Sequence, residues 1–169
     1  MGYEVPEVVW LVGKGPSIDT YDWEKAGWTC AINEACFLVP CDATIAIDYG
    51  VLKKYLEKHE WMKEQGIMVF RKETHTQYDF DKMFLFNYKT HARITAYATA
   101  PIIIQLLHFL GARTIHFVGF DSIDNNLDYA QSIKGIKSEG VSKNLHKINI
   151  HIFLVIKKLG ITPFWEHRK

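Results

Sequence analysis

Long apolar runs are missing from this chain: the most apolar stretch, 101–110, is interrupted by Gln105 and His108, and a membrane span needs about 20 predominantly apolar residues. Residues 1–15 show no basic start leading into an apolar stretch and a cleavage site, so no secretory leader is read and a cytoplasmic location is expected. Long runs of basic residues are missing too; none exceeds a pair, including the one that ends the sequence at 168–169. That argues against nucleic acid as a partner, because phosphate-backbone binding needs a basic patch or stripe. Cysteine is scarce and odd in number. Cys30, Cys36 and Cys41 fit neither a disulfide framework nor a CxxC zinc half-site, and read as small buried hydrophobes in a reducing compartment. Internal repeats and low-complexity tracts are also lacking.

What is present is the composition of a folded protein. The 169 residues are 48% hydrophobic, 23% charged and 14% aromatic, and 20 Lys+Arg against 19 Asp+Glu leave a net charge of +1. A chain of this length is close to one domain and can bury a sizeable core. We therefore expect one nucleotide-binding α/β domain over 1–169.

Short β-branched runs alternate with helical patterns. Val8–Val12 (VVWLV) stops at Gly13-Lys14-Gly15-Pro16-Ser17, which predicts a buried strand ending in a tight loop. The segments 29–33 and 43–48 repeat this, each ending in a polar residue, Asn33 and Asp48. A helix with one buried face is predicted over 51–61, a strand over 67–70 and an edge strand over 84–86, with no clear period elsewhere in 71–93. A buried helix over 96–110 stops at Gly111, and Thr114–Val118 (TIHFV) is a strand ending in Gly119-Phe120-Asp121. The polar stretch 122–144 is longer than most connections and reads as a lid or binding segment. An amphipathic helix over Leu145–Leu159, capped by Gly160, leads into a short strand over 161–164. This alternation predicts a Rossmann-like α/β domain, a mostly parallel sheet with helices on both faces and a lid over about 122–145.

In such sheets ligands bind beyond the carboxyl ends of the strands. Ser17, Asn33, Asp48 and Asp121 are candidates for that reason. The glycine-rich turn after the first strand would let a phosphate or ribose approach backbone N–H groups. It matches neither GxGxxG, because Ile18 stands at the sixth position, nor GxxxxGK[ST], so a plain tight turn stays open. Asp121, Asp124 and Asp128 with Asn125 and Asn126 could hold a hard cation, although Asn126 stands where an EF-hand needs glycine; a solvated loop face is the alternative. His146 opens the last helix, where an imidazole could act as a general base. His108 and His116 lie within apolar elements and read as structural.

Together these segments resemble the small single-domain bacterial sialyltransferases that use CMP-sialic acid, and the related superfamily containing 6-hydroxymethylpterin diphosphokinase. VGKGPS is similar to the transferases' VGNGPS loop, which brings Gly13, Gly15, Pro16 and Ser17 into the nucleotide site. Asn33 in AINEACF stands where the family has a nucleotide-binding Asn, and Asp48 in IDYGV replaces the Asn of an xNPGV segment. Thr99 in ATAP falls at the family's TSG. Gly119-Phe120-Asp121 resembles its GID turn. Tyr129 matches a lid tyrosine that bonds the phosphate of the leaving CMP, and His146 matches the catalytic base. Ile123 stands where the family has a further lid tyrosine, and the segment 71–93 has no counterpart.

The resemblance implies a glycosyltransferase using a nucleotide-activated sugar, a CMP-sugar first, with His146 and Tyr129 catalytic. Its partners would be that donor and a glycan or small-molecule acceptor, and a homo-oligomer is compatible with it. No cofactor is required, and Mg²⁺ enters only if Asp48 or Asp121 holds it. The alternatives are a Mg²⁺-dependent, diphosphokinase-like phosphoryl transfer, which the acid at Asp48 would suit, and a non-catalytic nucleotide- or sugar-binding module.

Overall fold

The computed structural model describes residues 4–46, 98–126, 128–134 and 143–168. Asp48, the helix expected over 51–61 and the strands expected over 67–70 and 84–86 lie outside the described residues, as does 135–142 of the lid.

Five parallel strands form one sheet: β1 (Val8–Val12), β2 (Thr29–Ile32), β3 (Ala43–Ile45), β4 (Thr114–Val118) and β5 (Thr162–Trp165), in the order β3-β2-β1-β4-β5. The Rossmann-like α/β expectation holds. β1 lies centrally, with Val12 level with Ala31 on one side and Val118 on the other. Two helices, α1 (Thr99–Phe109) and α3 (Leu145–Leu159), cover one face, joined by the single helical turn α2 (Gln131–Lys134) on the other.

Alternation along the strands divides two apolar layers. Val9, Leu11, Ile115 and Phe117 point towards α1 and α3, where they meet Ile103, Leu107, Ile152 and Val155. Val12, Ala31 and Val118 point the other way, onto Ile18, Cys36, Val39 and Ile133. That second layer is built mainly from 3₁₀ turns, Pro16–Asp19, Trp23–Lys25 and Asn33–Phe37, because the connections between β1, β2 and β3 are too short for long helices. α1 tolerates Pro101 because its first turn has no intrahelical acceptor for that N–H. α3 ends at Gly160, whose φ of +68° is the left-handed cap that glycine adopts without strain.

Towards the amino ends of the strands, the second face carries an aromatic ladder. Trp10, His116 and Phe164 stand in register on β1, β4 and β5. Their rings stack at 4.3 and 4.7 Å between centroids. His116 Nδ1 meets Glu166 Oε1 at 2.6 Å, and Trp10 Nε1 donates to the Tyr21 hydroxyl at 2.8 Å. β5 donates to its neighbour through Thr162 N (2.9 Å to Arg113 O) and Glu166 N (3.0 Å to Phe117 O). Residue 163 therefore turns its nitrogen away from β4, and proline there removes a donor from that side, which discourages edge pairing.

All three cysteines are free and buried. Burial pushes the Cys30 thiol well above its usual range and the Cys41 thiol up to about 12. We expect no reaction of native protein with a thiolate-selective disulfide reagent at pH 8 and full reaction of three thiols in denaturant. Fast labelling of the native chain would contradict the burial.

Candidate functional site

The connection leaving β1 crosses towards β2, and the one leaving β4 crosses towards β5, so the chain diverges in opposite directions from two adjacent strands. That divergence is the switch point at which open α/β sheets bind ligands, beyond the carboxyl ends. Gly13 and Gly119 are the residues immediately after β1 and β4.

The two loops touch along their backbones. Gly13 N donates to Val118 O at 2.8 Å and Gly15 N to Gly119 O at 2.7 Å, extending the ladder past the strands. A Cβ on Gly13 would come within 2.6 Å of Gly119 O, and Gly119 itself has a φ of +76°. Glycine is needed here for the close approach of two chains. Pro16 then opens the 3₁₀ turn with its φ preset, as proline does at a first helical position.

Ser17 and Asp121 lock this junction. Ser17 N donates to Asp121 Oδ1 and Oδ2 at 3.1 and 3.2 Å, and Ser17 Oγ donates to Oδ2 at 2.7 Å. The same hydroxyl oxygen accepts the Gly119 N–H at 2.8 Å. Both residues are buried. The carboxylate offered as a ligand or cation contact is engaged here in holding the β1 and β4 loops together.

The other acids near it in sequence disperse in space. Asp124 faces the C-terminal segment, accepting from Arg168 Nε and Nη2, both at 2.6 Å, with His167 Nε2 at 2.7 Å. The Arg168 guanidinium leads in holding its carboxyl down at about 2. Asp128 takes Lys134 Nζ at 2.8 Å and the Tyr129 N–H at 2.9 Å. Among the described residues no group of three His, Cys, Asp or Glu side chains could hold a metal ion.

At the end of β2, Asn33 is buried with a φ of +54°, in the left-handed region that Asn enters more readily than most residues and that often marks functional positions. The next residue, Glu34, is buried too, and its Oε2 lies 3.3 Å from Lys14 Nζ. Lys14 therefore spans from the β1 loop to the β2 loop. Neither Lys14 nor Glu34 is singled out by the sequence patterns. The usable signal was a pair of opposite charges placed just after consecutive strands.

The described part of the lid docks on the β1 loop. Ala130 N donates to Lys14 O at 2.9 Å, and the Lys14 ammonium sits 5.4 Å from the centre of the Tyr129 ring. Asp19 accepts Gln131 N at 2.7 Å and the Ser132 hydroxyl, satisfying donors at the start of α2. Tyr129 is thus brought beside Lys14 of the glycine loop.

Thr99 and His146 reach the same edge of the sheet from the opposite face. α3 returns the chain from the end of β4 to the start of β5, so its first turn lies at the carboxyl edge. Asn149 fixes it there, donating through Nδ2 to Ser122 O at 2.9 Å and accepting Ser122 Oγ at 3.2 Å. His146, one turn earlier, is exposed. Thr99 starts α1, the helix that leads back to β4, and is partly buried. Ile123, which stands where the resembled family has a further lid tyrosine, is partly buried and packs against the α1/α3 core.

No family model matches the chain, and no curated protein matches it in sequence. Two solved structures share its fold. One is the sialyltransferase CstII from Campylobacter jejuni in complex with a substrate analogue, cytidine-5′-monophosphate, with a TM-score of 0.57 at 14% identity, covering 95% of this chain and 79% of that one. The other is a sialyltransferase CST-II structure with a trisaccharide acceptor and CMP, with a TM-score of 0.56 at 12% identity, covering 95% and 81%. The likeness establishes a sialyltransferase-like fold. It lends nothing to the diphosphokinase resemblance.

The lock makes a direct prediction. Ser17→Ala strands the Gly119 N–H and weakens the hold on a buried carboxylate, so unfolding in urea should be easier by about 1–3 kcal/mol. A midpoint equal to that of the unaltered protein would show that the clip carries no stability.

Proposed function

We propose that the chain is a sialyltransferase-like glycosyltransferase that takes a CMP-activated sugar at the β1/β4 switch point and transfers the sugar to a glycan or small-molecule acceptor. The observation that carries this reading is the docking of the lid on the glycine loop, where Ala130 N donates to Lys14 O and the Tyr129 ring lies 5.4 Å from the Lys14 ammonium. The shared fold of the two CMP-bound transferases supports it. One nucleotide-binding domain with a lid over about 122–145, working in the cytoplasm, is part of the same proposal.

In this reading the nucleotide's phosphate meets the backbone N–H groups of the Gly13–Ser17 loop, and Asn33 and Thr99 contact the nucleotide from β2 and α1. The acceptor oxygen attacks the anomeric carbon of the donor sugar, and the bond from that carbon to the phosphate oxygen breaks with its electron pair leaving on CMP. His146 takes the acceptor's hydroxyl proton as the new bond forms. The Tyr129 hydroxyl donates a hydrogen bond to the departing phosphate, where negative charge grows. An exposed His146 is well placed for an acceptor arriving from solvent.

A second reading is favoured by one observation. Ile123 offers no hydroxyl and is turned into the core, so a leaving phosphate would meet one lid tyrosine fewer, as in a module that binds the nucleotide-sugar without turning it over. Phosphoryl transfer has no support from the shared fold, and Asp121 would have to leave Ser17 to hold Mg²⁺, which leaves Asp48 as the acid that reading needs.

Release of CMP from CMP-sialic acid, with and without lactose-type acceptors, separates these readings. We expect turnover that falls by about 10²-fold or more in His146→Ala, with binding of CMP unchanged. Equal rates in the two proteins would remove His146 from the reaction. Tight CMP binding without any turnover would favour the binding module.

A further inference from the structure

Glu34 is a buried carboxylate, between buried Asn33 and the fully buried Ala35 and Cys36. Its side chain is 5% exposed and that of Lys14 16%, at an Nζ–Oε2 separation of 3.3 Å. Desolvating two charges costs more than their attraction usually returns, and an apolar pair of similar volume commonly serves stability as well or better. Packing alone does not explain an ion pair here.

Its place in the sheet suggests what does. β1 and β2 are adjacent and parallel, and Val12 is level with Ala31. Lys14 follows Val12 by two residues and Glu34 follows the end of β2 by two, and their side chains meet across the two loops at 3.3 Å. In parallel α/β units that bind nucleotides, the phosphate lies over the loop after the first strand. An acid after the second strand, about 20 residues on, accepts the ribose hydroxyls. Lys14 and Glu34 are 20 residues apart.

We propose that Lys14 and Glu34 are a split recognition pair for a ribonucleotide, the Glu34 carboxylate accepting the ribose 2′- and 3′-hydroxyls while the Lys14 ammonium turns to the nucleotide's phosphate. This rests on the nucleotide-sugar reading above and adds the sugar specificity of the same site. In the resting protein each charge stabilises the other. With ligand, two hydroxyl donors take the carboxylate and an anionic oxygen takes the ammonium, so neither charge is left bare. The Tyr129 ring beside Lys14 places the ammonium on the lid side, where the phosphate would lie.

Calorimetric titration with CMP, 2′-deoxy-CMP and cytidine tests this. The unaltered protein should bind CMP about tenfold or more tightly than 2′-deoxy-CMP, the worth of a lost hydrogen bond to a charged acceptor. Glu34→Gln should shrink that ratio by threefold or more. The double variant Lys14→Met/Glu34→Leu replaces the pair by apolar groups of similar volume and should keep its melting temperature. It should lose the ribose preference and narrow the advantage of CMP over cytidine, leaving the part that the loop's backbone N–H groups supply. If CMP and 2′-deoxy-CMP bind the unaltered protein equally, this inference falls and the nucleotide cleft stands. If none of the three ligands binds, both fall. A ribose preference that survives in both variants would overturn the assignment to Glu34.

Discussion

Two backbones must pass within contact distance at the carboxyl ends of β1 and β4, and the rest of the site depends on that approach. A side chain on Gly13 would strike the Gly119 carbonyl. The junction is then closed by a serine and an aspartate 104 residues apart in sequence. Because Ser17 is both donor to Asp121 and acceptor from Gly119, the hydroxyl satisfies polar groups of two loops that burial would otherwise leave costly. The glycine loop is thereby held at a fixed height over the sheet. Lys14 is thrown sideways towards β2, and the lid gains a backbone acceptor at Lys14 O.

The turn 121–125 is gripped from several sides: Asp121 by Ser17, Ser122 by Asn149 of α3, and Asp124 by Arg168 and His167 beyond β5. These contacts connect the glycine loop, the first part of the last helix and the C-terminal segment through one short stretch of chain. A substitution in the turn should therefore be felt at His146, because Asn149 sets the position of the helix that carries it. The exposed Asp124 contacts matter less individually, since solvent screens them. Their value lies in geometry.

Local patterns in the sequence marked the strands well. Val8–Val12 and Thr114–Val118 are apolar runs closed by glycine, and α3 has one apolar stripe and a glycine cap, so their limits could be read directly. β2 and β3 were recognised by the polar residue expected after an apolar run, with β2 ending one residue before Asn33. What sequence could not carry was pairing across the sheet. Asp121 looked like a ligand because it follows a strand, yet its partner is set by strand order, which puts β4 next to β1. The same holds for the Trp10–His116–Phe164 ladder, where three isolated residues become one stack only through parallel register. Lys14 and Glu34 stand inside VGKGPS and AINEACF but are not the residues those motifs single out; only adjacency of β1 and β2 makes them a pair.

The distribution of charge around the switch point constrains any anionic donor. Asp121 is turned inward and hydrogen-bonded by Ser17, so its charge is neutralised largely by the loop's own dipoles rather than facing a ligand. Glu34 is balanced by Lys14. Among the described residues the glycine loop can then present backbone N–H groups to a phosphate with both nearby carboxylates, Asp121 and Glu34, already partnered, a favourable electrostatic condition for an anion. A ribose is the one part of a nucleotide that brings hydroxyl donors, and it is also the part that can take over Glu34 when the ammonium moves to the phosphate. Charge balance and strand order thus point to the same orientation for the ligand, phosphate over β1 and sugar towards β2, although they are independent properties of the chain.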